Sequence, residues 1–211
     1  MRRTDGNRTR TSTTLLSAVA RRDELACAEF CRRYGRLARA IALKCGMSSH
    51  DADDVEQEAM IAATEALKNQ QYDRQRGSFK VWLKGVISHK IAHARRVSAK
   101  HGRGQLSESD GSAAELAERV VDPQPDPARQ VEEAFETEWQ KALYDAALDE
   151  VRGEVEPKTF QAFDLCTQRG WEPKGVAAFL GMRKGAVNLA VHRVRERIKA
   201  KLASEADQPH E

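Results

Sequence analysis

The chain has 211 residues, enough for one large or two small domains that each bury a core. Hydrophobic residues make 40%, charged residues 32% and aromatics 6%, which is the balance of a soluble, helix-leaning chain. No run approaches the roughly 18 apolar residues of a membrane span, and the basic start, Met1 to Gly6, lacks the apolar stretch of a secretory signal. The expectation is a cytoplasmic protein without membrane insertion.

The net charge of +3 conceals a pattern. Segment 1–14 carries +3, 15–104 carries +7, 105–132 carries −5, and 133–211 carries −2. Within the last segment, residues 183–201 hold seven basic side chains against Glu196 alone. Two basic regions flanking an acidic connector suggest a polyanion partner touched at two places. The four cysteines, Cys27, Cys31, Cys45 and Cys166, are too few and too irregular for a disulfide framework. Cys27 and Cys31 share a helical face and could ligate a metal with Cys45 and His50, but the C-x-x-C spacing of zinc sites is missing. They read as small core residues, so no metal and no cofactor are expected.

In chain order, residues 1–14 have no apolar periodicity and read as a disordered basic tail. A helix is predicted from about Thr14 to Lys44, with a break at Gly35; Phe30, Tyr34, Leu37 and Ile41 form its apolar stripe. Gly46 stops it. Ser48 and Asp51 resemble a capping box with Asp for Glu, and open a helix to about Asn69 that buries Val55, Ala59, Ala62 and Ala66. After a polar loop from Gln70 to Gly77, Phe79, Trp82, Leu83, Val86, Ile87, Ile91 and Ala94 predict an amphipathic helix to about Ala99. Residues 15–100 thus read as a four-helix domain.

From 101 to 130 glycine, proline and acids break the pattern, leaving a flexible acidic linker with at most a short helix near Ala113–Arg119. The second domain is placed at 131–203. Its first helix, to about Arg152, carries Phe135, Trp139, Leu143, Ala147 and Val151 at intervals of four, and Pro157 opens the next. A short tail, 204–211, reads as disordered.

The most specific pattern follows. Pro173 opens a short helix with Val176, Ala177 and Leu180 inward, Gly181 turns the chain, and Val187 and Ala190 line the next helix. This order meets the constraints of a helix-turn-helix, whose second helix enters the DNA major groove. Arg183, Lys184, Asn188, His192, Arg193, Arg195 and Arg197 point outward, suited to bases and phosphates. The bland alternative is a helical hairpin with a solvated basic face.

Asp51, Asp54 and Glu58, with Gln57 beside them, share one helical face. No nucleophile, phosphate loop or metal spacing accompanies them, so they read as a protein-binding face or as an ordinary solvated acidic helix. The following helix turns Lys80, Lys84, Ser88, His89, His93, Arg95 and Arg96 outward, and Tyr72, Arg74 and Arg76 precede it. That mixture suits single-stranded nucleic acid, with bases stacked or trapped; a solvated basic face over core aromatics reads equally well.

Taken together, Phe30…Arg33-Tyr34-Gly35, Asp51-Ala52-Asp53-Asp54-Val55-Glu56-Gln57-Glu58, Tyr72-Asp73…Arg76-Gly77-Ser78-Phe79-Lys80-Val81-Trp82-Leu83 and Arg95-Arg96 resemble the first domain of the sigma-70 family of bacterial transcription initiation factors. Pro157–Phe163, Val176–Met182 and Gly185–Val194 resemble its second domain. The two-domain form is that of the extracytoplasmic-function branch. The resemblance implies an all-α fold of a region 2-like bundle and a region 4-like helix-turn-helix domain. It also implies that Asp51, Asp54, Gln57 and Glu58 dock on the clamp helices of core RNA polymerase. Tyr72, Arg74, Arg76, Lys80, Lys84, Ser88, His89, Arg95 and Arg96 would recognise and help melt the promoter −10 element. Arg183, Lys184, Asn188, His192, Arg193, Arg195 and Arg197 would read the −35 element. The second domain would sit on the polymerase β-flap, and the acidic linker would run through the active-site cleft and RNA exit channel. Such a chain is not an enzyme, and is monomeric when free. Many family members are held by an anti-sigma factor, although nothing in the sequence requires one.

Four departures from the family pattern stand out. His89 and His93 replace Asn and Asp, the linker is long, the Arg-rich start matches nothing, and Asn188-Leu189 stands where an aromatic or small residue is expected. The alternative reading is a free-standing helix-turn-helix regulator, which must dimerise on paired half-sites and leaves the acidic and basic helices unexplained.

Overall fold

The computed structural model describes residues 12–105 and 127–206. The residues through 11, the segment 106–126 including the short helix expected near 113–119, and residues 207–211 lie outside the described residues. Among the described residues the only regular structure is helical: α1 (Ser12–Ala20), α2 (Glu24–Lys44), α3 (Ser49–Lys68), a 3-10 turn (Arg74–Arg76), α4 (Phe79–Gln105), α5 (Pro127–Glu154), α6 (Pro157–Thr167), α7 (Pro173–Leu180) and α8 (Lys184–Ala206). The chain divides into two units between Gln140 and Lys141.

In the first unit, the helix expected over 14–44 with a break at Gly35 is two helices, divided instead at residues 21–23. α1 ends at Ala20, Arg22 takes a left-handed φ of 62°, and Asp23 caps α2 by accepting the Ala26 N–H at 3.0 Å. The polar triplet Arg21-Arg22-Asp23 ends one helix and an Asx-type cap begins the next. Gly35 does not break α2; it lies mid-helix, where a Cβ would come within 2.5 Å of Glu56 Oε1. A side chain at this position would have to displace the end of the Glu56 side chain of α3. The predicted stripe Phe30, Tyr34, Leu37 and Ile41 is buried, and Gly46 closes the helix at φ 78°.

Ser48 caps α3, accepting the Asp51 N–H at 3.1 Å and donating its own hydrogen to Asp51 Oδ2 at 2.7 Å. Asp is too short to reach back to the cap backbone as Glu does in a full capping box, so it meets the hydroxyl instead. α3 buries Ala52, Val55, Ala59, Met60, Ala63 and Leu67 between α2 and α4. α4 buries Leu83, Ile87 and Ile91, and runs six residues beyond its expected end at Ala99.

The linker and second domain depart most from expectation. α5 starts at Pro127, not after 130, and its residues through Gln140 belong to the first unit. There Trp139 stacks on Tyr34 with ring centroids 6.1 Å apart, meets Phe79 at 6.3 Å, and stacks on Phe135 at 5.6 Å. The four-residue interval of apolar positions continues unbroken through Ala147 and Val151, but those residues pack in the second unit. One helix therefore serves two cores, and its period carries no mark of the change of partner.

The second unit has two linked cores. Ala147 and Val151 of α5 pack with Phe163 of α6 and with Val194 and Ile198 of α8. Ala162 and Leu165 pack with Val176 and Ala177 of α7 and with Val187 and Ala190 of α8. Lys201 clasps Glu150 at 3.0 Å and Glu154 at 2.6 Å along the edge of the first core.

Because Trp139 is almost fully buried among three rings, Trp139→Ala should cost about 3–5 kcal/mol. Hydrogen exchange of the full chain should show α2 and α4 amides opening faster, with α6–α8 protection kept. Unchanged exchange in α2 and α4 would show that α5 contributes nothing to the first core.

Candidate nucleic-acid and protein interfaces

The sharp turn between α7 and α8 is made by Gly181 at φ 61°, ψ 43°, a left-handed conformation that glycine adopts without a Cβ clash. The Met182 N–H then closes back on Ala177 O at 2.9 Å. Pro173 occupies the first turn of α7, where no N–H is needed. Val176 and Ala177 face Val187 and Ala190, which fixes how α8 is presented.

All seven predicted residues of this element are exposed. At 100° per residue, Lys184, Asn188, His192 and Arg195 fall within about 80° of arc on α8, to one side of its buried line. Arg183 lies in the turn just before them. Arg193 sits about 100° from His192, and Arg197 is farther round, beside the core. There Arg197 is held by Glu154 at 3.3 Å. The face available to a groove is therefore narrower than the sequence list. Lys199 shares its arc but is engaged by Glu196 at 2.8 Å, whose carboxyl is held below its usual range by that bond.

On α3, Asp51, Asp54, Gln57 and Glu58 share about 120° of arc. Asp51 is turned toward the helix cap, Asp54 lies 3.8 Å from His50, and Glu58 meets Lys90 of α4 at 3.1 Å. Gln57 is exposed. Ile61 lies in the middle of the same arc and is 52% exposed. It was not singled out from the sequence. Its position three beyond Glu58 and seven beyond Asp54 was the available signal.

The nine residues predicted for single-stranded nucleic acid do not form one surface. Lys80, Lys84, Ser88 and Arg95 occupy about 80° of α4, against the first half of α5. Lys80 Nζ lies 2.6 Å from Glu136 Oε2, and Lys84 Nζ lies 2.6 Å from Glu132 Oε2. The Ser88 hydroxyl donates to Lys84 O at 2.7 Å, while Arg95 donates to Cys45 O at 2.7 Å and Gln130 Oε1 at 3.1 Å. Charge counting could not foresee this, because the acids come from a segment expected to be linker or another domain.

His89 and Arg96 lie on a different face. With Trp82 and His93 they span about 60° of arc, and the two histidines and Arg96 are exposed. Tyr72 leans on Trp82 with centroids 5.1 Å apart, donates to Gly77 O at 3.5 Å, and has its hydroxyl pKa raised by burial. Arg74 and Arg76 stand exposed in the adjoining 3-10 turn, Arg76 being 3.6 Å from Asp73. Aromatic rings at one end, with Arg74, Arg76, Arg96 and two imidazoles along the rest, make a surface able to stack bases and follow phosphates. Burial raises the pKa of Cys31, Cys45 and Cys166, which keeps these thiols protonated and unreactive.

Residues 30–101 match the family described as Sigma-70 region 2. Over 180 residues the chain is 26% identical to the ECF RNA polymerase sigma factor SigE of Mycolicibacterium smegmatis, covering 85% of this chain and 63% of that protein. The chain thus spans less than two thirds of that relative's length. A solved structure of CnrH in complex with the cytosolic domain of CnrY covers 92% of this chain and 97% of its own at 22% identity, with a TM-score of 0.34.

Gly181→Ala forces a Cβ into the left-handed region and should destabilise the second unit by about 1 kcal/mol. Denaturant unfolding followed by Trp171 fluorescence is the check, and an unchanged midpoint would show that the turn tolerates a side chain.

Proposed function

We propose that the chain is an extracytoplasmic-function member of the sigma-70 family, with its region 2 in residues 30–101, and that it docks on core RNA polymerase and directs it to promoters through −10 and −35 elements. The observation that carries this reading is the open face of α4 inside the matched segment, where Tyr72 and Trp82 lead into His89, His93 and Arg96. On this reading an unstacked base of the −10 element lies against the aromatic pair, worth about 1–3 kcal/mol per base, and Arg96 follows the strand. Arg74 and Arg76 steer the strand into place.

The acids of α3, with Ile61 among them, suit a basic helical partner on the polymerase clamp. An apolar centre in a polar rim is the arrangement that concentrates binding energy. α8 enters the major groove of the −35 element with Lys184, Asn188, His192 and Arg195 foremost, and its domain rests on the β-flap. The acidic connector runs through the cleft and exit channel as a nucleic-acid-like charge. Catalysis belongs to the polymerase, and this chain contributes specificity and strand opening.

Gel filtration with core polymerase at moderate salt tests the docking. Co-elution is expected, and should be lost in D54K/E58K and weakened several-fold in Ile61→Ser, all with native circular dichroism. A chain that elutes apart yet shifts duplex DNA alone is a free-standing regulator instead. For the −35 element, N188A and R195A should each lower transcription from a −35-dependent promoter about tenfold, the cost of one lost base contact. R197A should do much less, since that side chain is committed to Glu154; equal losses would refute the narrower reading face.

A further inference from the structure

Leu189, in the second turn of α8, is 54% exposed, whereas Val187 and Ala190 on either side of it are buried. At 100° per residue, the side of α8 opposite the buried line of Val187, Ala190, Val194 and Ile198 carries Gly185, Leu189, His192 and Glu196. These four share about 60° of arc. Glu196 lies two turns past Leu189 and is engaged by Lys199 at 2.8 Å, which leaves Gly185, Leu189 and His192 nearest the turn. Gly185 is exposed, and a Cβ placed there meets nothing within 4 Å. Glycine inside a helix lowers stability relative to alanine, and the open space around this one gives no packing reason for it. It does leave a strip of helix without side chain, to which a base edge can come close.

We infer that Leu189 is a specificity-determining residue of the −35 interface: it makes apolar contact with the 5-methyl group of a thymine in the major groove, and Gly185 is the gap that lets α8 approach closely enough. This rests on the reading of α8 as the helix that enters the −35 element. In the major groove a methyl group marks thymine alone among the four bases. Leucine has no side-chain donor or acceptor, so it can read no other part of that code and cannot hold a phosphate. Its neighbours supply those contacts. Asn188 precedes it with an amide suited to adenine, and His192 and Arg193 lie about 60° and 40° to its two sides. Single exposed leucines are ordinary on protein surfaces. The bare glycine one turn earlier on the same strip sets this one apart.

The probe is a pool of duplexes randomised over the −35 and −10 regions, selected by core polymerase carrying the full chain. The parent should enrich a T·A pair at one −35 position. Leu189→Ala should lose that preference and keep those at the other positions. Deoxyuridine in place of the selected thymine then removes only the methyl group. The parent should bind that duplex about fourfold more weakly, the worth of one buried methyl group, and Leu189→Ala should bind both duplexes alike. Gly185→Leu fills the gap from a position open on the protein side. It should keep the unfolding midpoint yet weaken −35 binding about tenfold or more, because α8 is held off the bases. An unchanged preference in Leu189→Ala, an equal deoxyuridine penalty in both chains, or full binding by Gly185→Leu overturns the proposal and leaves the −35 reading standing. Failure of Leu189→Ala to co-elute with core polymerase makes Leu189 a polymerase contact and overturns it as well. If the parent enriches no −35 sequence, α8 does not read that element, and the methyl contact falls with that reading.

Discussion

Phe79, the first residue of α4, is the contact on which the first unit depends. Its ring meets those of Phe30, Tyr34, Tyr72, Trp82 and Trp139 at centroid distances between 5.2 and 6.3 Å. It therefore ties α2, the loop after α3, the start of α4 and the first half of α5 into one aromatic cluster. Edge-to-face and tilted pairs of this kind each add about 0.5–1.5 kcal/mol beyond the area they bury, and they fix ring orientation. Orientation matters here more than energy. Tyr72 and Trp82 are held at the surface end of the cluster, half-buried, with their outer faces presented beside the exposed histidines. The same cluster draws in Trp139 and so sets the register of α5 along α4.

That register decides how the charges of α4 are shared. An α-helix distributes positions around its axis at 100° intervals, so a helix rich in Lys, Arg and His offers several faces rather than one basic patch. Against α5 lie Lys80, Lys84 and Arg95, each hydrogen-bonded within the unit. On the far side His89, His93 and Arg96 remain exposed. The notional basic helix is thus half structural and half available. A count of cations along the chain has no access to that distinction, because it depends on residues some fifty positions away.

What the chain alone made legible follows the range of the interactions. Local signals read well: Gly46 and Gly181 at left-handed turns, Ser48 as a cap, Pro157 and Pro173 in first helical turns, and the buried stripe from Phe30 to Ile41. The break at Arg21–Asp23 was also local, but Gly35 drew attention as the more familiar breaker. Only the Glu56 carboxylate beside it, on another helix, explains why glycine stands there. The partner of Trp139 was illegible for the same reason, since a periodic apolar stripe says that a face is buried and not against what. Ile61 shows the converse error: its exposure depends on no neighbouring helix covering that arc of α3.

The first half of α5 joins two kinds of bond with different durability. Burial of Phe135 and Trp139 is insensitive to ionic strength and to competing anions, so it holds the helix in place under any solution condition that leaves the core folded. The glutamate–lysine pairs a turn away are screened by salt and exchangeable for any other anion of suitable spacing. A segment built from ionic contacts alone would have no fixed register over α4, and one built from apolar contacts alone would leave the lysines bare. With the anchor fixed, the glutamates stay at high local concentration over the lysines.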